Sequence, residues 1–186
     1  MNRVFAGVTA LLFAGFVSPA SAQTIQRAEI SGGYQWLAAK ASGEDEWRKF
    51  PKGWYVDVAG HVTPMLSIVS QVSGNYRTFE DEAFDLALHT FMAGIRASSS
   101  GRVRGHGQFL AGVASLKASD DLASDSETDF AIQLGGGVTV PASARVGLRL
   151  GVDYTRIFAK EDGAVLAADV NGFRFIIGAT FGLGGS

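Results

Sequence analysis

The sequence predicts an all-β protein, an eight-stranded antiparallel up-and-down β-barrel. Three observations support this prediction: apolar and polar residues alternate with a period of two, glycine (24 residues) greatly exceeds proline (4 residues), and connections alternate between short and long. The 186 residues fit one domain, and with 47% hydrophobic and 18% charged residues the chain is not a disordered, highly charged one.

Residues 1–22 have the pattern of a signal peptide. A basic start at Arg3 precedes an apolar stretch over 4–17, and the segment ends with small residues at Ala20 and Ala22. The apolar stretch is too short for a comfortable membrane-spanning helix. We therefore predict cleavage between Ala22 and Gln23, export through the inner membrane, and a barrel domain over residues 23–186.

Eight segments of the remaining chain alternate as strands do. In the sixth, Phe130 and Ile132 lie on the side opposite Asp129, a period that no helix produces. The fourth is imperfect, because Leu86 and Leu88 fall on its polar side. The predicted strands are 28–39, 54–63, 66–79, 84–98, 103–117, 129–140, 145–155 and 173–183.

The connections give a second signal. Segments 63–65, 99–101 and 141–143 are short, whereas 40–53, 78–83, 118–128 and 159–171 are longer and mostly polar. Short turns at one rim and long loops at the other are typical of outer-membrane barrels, with both termini on the periplasmic side. After Ala22 no run of 18 apolar residues occurs, so membrane insertion would have to use a closed barrel.

A transmembrane β-barrel and a soluble periplasmic lipocalin-like carrier differ in which face of the strands, polar or apolar, points into the barrel. The apolar face carries aromatic residues near strand ends, such as Tyr34, Trp54 and Phe173, as interfacial girdles do. The polar face carries both signs of charge, which can pair across a narrow lumen and favour a structural plug over a conducting pore. These observations favour the transmembrane barrel, and the carrier stays the alternative. The predicted lumen network comprises Glu29, Asp57, Arg77, Arg96, Asp129, Arg149, Asp153 and Arg174.

Four segments, 88–96, 130–138, 146–154 and 171–175, resemble the OmpA-like and Ail/OmpX-like small outer-membrane barrels, and the resemblance covers residues 23–186. It implies a protein of the cell outer membrane in contact with its lipid and lipopolysaccharide, with a structural, envelope-integrity or surface-contact role and no enzymatic activity. Residues 178–183 resemble the closing signal read by the barrel assembly machinery, although Ile176 stands where a polar residue is usual. We expect a monomer.

Other functions have little support in the sequence. A formal charge of -2 gives no reason to expect nucleic acid as a partner, and the absence of cysteine removes thiolate chemistry. The histidines His61, His89 and His106 lack metal-ligand spacing, so we expect neither a metal nor a cofactor and assign them to polar lumen or rim networks. A lipid A-modifying barrel enzyme is a further alternative, but no histidine stands in a His-x-Ser pair, and no catalytic residue is predicted.

Two predicted loops are distinctive. The first contains Trp47 and Phe50 within a charged stretch and is the candidate site for contact with an external ligand. The third, 118–128, is acidic, and we expect it to be a solvated loop.

Overall fold

The computed structural model describes residues 28–43, 45–79, 84–119, 124–159 and 168–184, which form one antiparallel sheet closed upon itself. The predicted cleavage site at Ala22 and Gln23 lies outside these residues. The strands are β1 (Ala28–Ala41), β2 (Arg48–Phe50), β3 (Lys52–His61), β4 (Leu66–Phe79), β5 (Phe84–Ser98), β6 (Arg104–Ser119), β7 (Ser124–Pro141), β8 (Val146–Phe158) and β9 (Val170–Leu183).

The described strands form eight barrel strands, because β2 and β3 together make the second. Both pair with β1: Phe50 lies opposite Leu37, and Trp54 lies opposite Tyr34. Pro51 separates them, since proline has no N–H to donate to the ladder. Each later strand pairs with the next, and β9 pairs with β1 along its whole length, which closes the barrel. The prediction of an all-β, eight-stranded antiparallel barrel is confirmed.

Several strands extend into segments that the sequence predicted as loops. The second barrel strand begins at Arg48 rather than Trp54, and the β6–β7 hairpin continues to Ser119 and Ser124, so most of the predicted acidic loop 118–128 is strand. The reason is physical: the period-two pattern requires one apolar face, and strand ends that leave the bilayer no longer need one. We call the barrel rim that carries the connections 62–65, 99–103 and 142–145 the turn end, and we call the opposite rim the loop end.

The distribution of polarity is the reverse of that in a soluble protein. Outward side chains are large and apolar, and Leu134 is 61% exposed. Inward positions hold buried polar groups such as Gln35, Gln71 and Asp57. A soluble lipocalin-like barrel would instead place its apolar face around the lumen, so this arrangement contradicts that alternative. In the described ranges no helix is long and apolar enough to cross a membrane.

Candidate functional site

Five charged side chains from five different strands meet inside the barrel near the turn end. We call this set, Glu29, Asp57, Arg96, Arg104 and Arg149, the charged layer. Arg96 donates from Nη1 and Nη2 to the two carboxylate oxygens of Asp57 at 3.2 and 3.1 Å. Arg149 donates to Asp57 at 3.3 Å and to Glu29, and Arg104 donates to Glu29 at 3.0 Å. Each carboxylate is therefore shared by at least two guanidinium groups.

Neutral side chains accept further hydrogen bonds from Arg96 and Arg149. Arg149 also donates to the Ser31 hydroxyl at 2.7 Å and to the Thr139 hydroxyl at 3.3 Å, and Arg96 donates from Nε to Gln108 Oε1 at 3.0 Å. Buried charges are tolerated only when they are paired and hydrogen-bonded, and this layer meets both conditions.

A second cluster lies nearer the middle of the barrel. Arg174 donates from Nε and Nη2 to Asp153 Oδ2 at 3.1 and 2.5 Å, and from Nη1 to Gln35 Oε1 at 3.2 Å. Gln108 joins the two clusters, because it accepts from Arg96 and donates to Asp153 Oδ1 at 3.0 Å. The hydrogen-bonded network therefore runs without interruption from the turn end to mid-barrel.

Glycines on neighbouring inward positions make room for this network. Gly135 lies opposite Asp153 in the β7–β8 ladder, and a Cβ there would collide with the Asp153 carboxylate. A Cβ on Gly178 would lie 2.5 Å from the hydroxyl of Tyr55. An eight-stranded barrel has barely enough interior space for its side chains, so these positions accept nothing larger than glycine without a shift of their neighbours.

Little space remains within the network. A cavity of about 10 Å³ is bordered by Glu29, His61 and Arg149, and another of about 20 Å³ is bordered by Gln133 and Arg174. A cavity needs roughly 10–15 Å³ of such volume to hold one water molecule. Each of these two cavities therefore has room for about one water molecule.

Toward the loop end the inward face becomes apolar. Leu37, Phe50, Leu88 and Ile157 are all buried there and belong to one cluster. Above them is a cavity of about 300 Å³. The same cluster continues toward the turn end through Ala59, Val69 and Leu110. The charged layer therefore marks the turn end of the lumen, and the large apolar cavity marks the loop end.

The structure corrects the predicted contact site in the first loop. Phe50 is only 5% exposed and faces inward opposite Leu37, so it cannot be a surface contact. Trp47 is 39% exposed, and its ring lies 5.9 Å from that of Phe173, with Lys40 Nζ 5.4 Å from its centroid. Trp47 thus packs on the outer wall at the loop end. The sequence pattern did not separate inward Phe50 from outward Trp47, because it did not locate the start of the second barrel strand.

Six of the eight predicted network residues meet in the two clusters. Glu29, Asp57, Arg96 and Arg149 belong to the charged layer. Asp153 and Arg174 form the second ion pair.

The other two predicted residues also lie at inward positions, and several participants of the two clusters were not predicted. Arg77 is half-buried near the loop end of β4, and Asp129 is buried in β7. Arg104, Gln35 and Gln108 were not assigned to the network, although the alternation places each on the polar side of its strand.

The three histidines lie in different surroundings. His61 Nδ1 is 2.8 Å from the Ser67 hydroxyl, directly across the β3–β4 pair. His106 borders the lumen cavity near the turn end. His89 faces outward, where its Nε2 is 3.1 Å from the Tyr76 hydroxyl.

Two sequence-based expectations about histidine change as a result. His89 belongs to an outer aromatic belt rather than to the lumen or rim, because its neighbour Tyr76 also accepts a hydrogen bond from Trp54 at 3.1 Å. A serine does lie within reach of His61, but the two residues face each other across a hairpin and do not form a sequential His-x-Ser pair. Among the described residues, no three or more His, Asp or Glu side chains form a group that could hold a metal ion.

Comparison with known proteins agrees with this architecture. Residues 8–181 match the family described as outer membrane protein beta-barrel domain. Neisserial surface protein A superposes with a TM-score of 0.70 at 11% identity, over 84% of this chain and 97% of that one. Ail, the attachment invasion locus protein of Yersinia pestis, superposes with a TM-score of 0.59 at 20% identity, over 83% of this chain and 96% of that one. The outer membrane protein OprG from Pseudomonas aeruginosa superposes with a TM-score of 0.50 at 10% identity, over 83% of this chain and 94% of that one. No curated protein matches the chain in sequence.

Proposed function

Because the chain belongs to the outer membrane protein beta-barrel domain family and resides in the outer membrane, we propose that it is a structural envelope protein that neither conducts ions nor catalyses a reaction. The charged layer is the single observation that carries this proposal. Side chains from five strands pair there across the lumen and fill it.

Passage of an ion through the charged layer would require its ion pairs to separate. Removing one partner from a buried pair costs roughly 3–5 kcal/mol, because the other charge is left without compensation. The layer couples Asp57 in β3 to Arg149 in β8, two strands that β1 and β9 separate in the closed sheet. It therefore serves as an internal brace and as a barrier to ions.

The outer wall supports residence among lipid and lipopolysaccharide. Trp54, Tyr76 and His89 form a hydrogen-bonded aromatic group on it, and the rings of Trp36 and Phe175 pack 5.3 Å apart. Such amphipathic rings favour the membrane–water interface. In this proposal the turn end faces the periplasm and the loop end faces outward, after export directed by the predicted signal peptide.

The proposal includes a monomer inserted by the barrel assembly machinery. Since β9 pairs with β1, the described strands leave no free sheet edge that another copy would need to cover. Phe181 and Leu183 in the closing segment both face outward, where an assembly factor could read them, whereas Ile176 points into the lumen.

A hydrolase is the main competing activity, and the His61–Ser67 contact is its best support. The geometry opposes it, because Ser67 is only 1% exposed and the adjoining cavity is about 10 Å³. A nucleophile needs room for the reacting group of its substrate. A surface-contact role at the loop end is compatible with the structural role and would involve the exposed residues Asp45, Glu46 and Lys49.

Ion conductance of the full mature chain in planar lipid bilayers tests the proposal. We expect no sustained single-channel openings for the wild type. The double variant Glu29→Ala/Arg149→Ala removes a pair from the charged layer, and we expect it to show small stepwise currents. The matched control, Glu46→Ala/Lys49→Ala, removes one charge of each sign from the loop end and should stay silent.

Two results would overturn the proposal. One is stepwise conductance by the wild type equal to that of the Glu29→Ala/Arg149→Ala variant. The other is a change in lipid A mass, measured by mass spectrometry, that depends on expression of the chain and is lost in Ser67→Ala.

A further inference from the structure

The loop end of the lumen contains an apolar vestibule, the cavity of about 300 Å³ described above. Its lining residues come from six strands, β1, β2, β5, β6, β8 and β9, and from Ser42 and Ala168 next to them. Its lining is mainly aliphatic or aromatic and includes Ala39, Phe50, Leu86, Leu88, Leu116 and Ile157.

These residues break the pattern that the rest of the barrel follows. Most inward positions elsewhere are polar, with exceptions such as Val69 and Leu110, whereas Leu86 and Leu88 in β5 and Ile157 in β8 place hydrocarbon together on the inward face. Apolar surface left in contact with water costs about 25 cal/mol per Å². Concave, mostly apolar cavities with a few polar groups are the usual form of small-molecule sites, and their volumes begin at about 300 Å³.

The vestibule has a polar floor. Directly below it the space narrows to the cavity of about 20 Å³ bordered by Thr90, Gln133 and Arg174. Arg174 is held there by its ion pair with Asp153. A ligand could enter from the loop end, but it would meet the hydrogen-bonded network instead of a path through the barrel.

The charge of the lining gives the ligand a polarity. Arg48 borders the vestibule, whereas the Lys40 ammonium lies over the Trp47 ring on the outer wall, and no acidic residue is among the described residues of the lining. Arg48 lies two positions from Phe50 on the same strand and opposite Ala39 in β1, so it shares the inward register at the rim. A negative group at the rim and a hydrocarbon chain below would match this arrangement.

We propose that the vestibule binds an aliphatic amphiphile with one anionic head group, namely a medium-chain carboxylate. The carboxylate would lie at the rim near Arg48, and the chain would contact Phe50, Leu88 and Ile157. A cavity of about 300 Å³ lies at the lower end of the size range of small-molecule sites, so it suits a small ligand such as octanoate. This inference goes beyond the structural role and does not depend on it.

The test is a titration of sodium octanoate into the full mature chain in lipid nanodiscs, followed by NMR of labelled Leu and Ile methyl groups. We expect saturable shifts of the Leu88 and Ile157 methyls. Affinity should fall about tenfold in Arg48→Gln and should be unchanged in Arg145→Gln, which removes an exposed arginine at the turn end. Leu116→Trp, which fills the vestibule, should abolish the saturable shifts while the barrel stays folded. Octanol should bind more weakly than octanoate, and acetate should not bind.

Three outcomes would overturn the inference. Shifts that increase linearly without saturation, equally in the wild type and in Leu116→Trp, would indicate partition into the lipid only. Equal affinity for octanol and octanoate would show that the site does not recognise an anionic head group. Equal affinity of Arg48→Gln and Arg145→Gln for octanoate would show that Arg48 does not bind the carboxylate. None of these outcomes affects the conductance test, so failure here is distinguishable from failure of the structural role.

Discussion

Asp57 is the residue that joins the two central arginines of the charged layer. Both Arg96 and Arg149 donate to its carboxylate, and the side chain is buried. Its removal would leave two guanidinium groups without their shared counter-charge, whereas loss of Arg104, which lies partly in solvent, would affect only one carboxylate.

We therefore expect Asp57→Asn to lower the free energy of unfolding by roughly 3–5 kcal/mol, because the substitution keeps the shape of the side chain but removes its charge. Urea unfolding in lipid vesicles would measure this change in the free energy of unfolding. Asp45→Asn, at an exposed position in the first loop, is the control and should change stability by less than about 0.5 kcal/mol. Equal effects of the two substitutions would contradict the assigned role of Asp57.

Asp169, at the start of β9, gives a pH prediction outside the membrane. Arg156 Nη2 donates to its Oδ2 at 2.7 Å, and the backbone N–H of Ala159 donates to Oδ1 at 3.1 Å. The Arg156 hydrogen bond lowers the pKa of the Asp169 carboxyl below its ordinary value of 3.8. A lowered pKa means that the contact stabilises the folded state above pH 3.8 and is lost as the pH falls through the lowered value.

NMR titration of the Asp169 carboxyl carbon would check this prediction. The midpoint should lie below 3.8 in the wild type and should rise in Arg156→Gln. A midpoint that is the same in both proteins would mean that the ion pair does not persist in solution.

At the scale of elements, the β7–β8 ladder depends on close approach at Gly135. Gly135→Ala would place a Cβ against the Asp153 carboxylate, which holds Arg174. We expect a loss of about 1–3 kcal/mol, since overpacking forces neighbours to move. Gly107→Ala is the control, because its Cβ would meet nothing closer than the Gly135 carbonyl at 3.9 Å. Equal stability of the two variants in urea unfolding would show that the interior has spare room at Gly135.

The strands themselves were largely predictable, and the exceptions have physical reasons. Alternation located all eight barrel strands because the bilayer requires one apolar face over most of their length. It failed where that requirement ends, in the β6–β7 hairpin near Ser119, and at Pro51, where a break in the ladder hid the short strand β2. Phe50 was assigned to the surface for the same reason.

In the lumen, the inward direction of a side chain was predictable from the sequence, whereas its contacts with residues far away in the chain were not. Alternation was sufficient to place Glu29 and Arg149 on the inward face. Their contact joins residues 120 positions apart in the chain and depends on the register and tilt of eight strands, which no local pattern encodes. The apolar vestibule escaped prediction because inward residues were expected to be polar, although Leu37, Leu86 and Leu88 already fell on the polar sides of their strands.

For the whole molecule, the polar lumen and apolar outer wall have one explanation: a closed barrel surrounded by lipid. A β-barrel in a membrane has no sheet edge from which unfolding can begin, and here the charged layer adds contacts between strands that are not neighbours. We expect the folded barrel to resist SDS until it is heated.

Electrophoresis in SDS of protein extracted from the outer-membrane fraction, unboiled against boiled, tests this account most directly. We predict that the unboiled protein migrates as a compact species and that boiling shifts it to the mobility of the unfolded chain. Identical mobility before and after boiling, with the protein recovered from the soluble periplasmic fraction, would contradict the account and would place the apolar face inside a soluble protein.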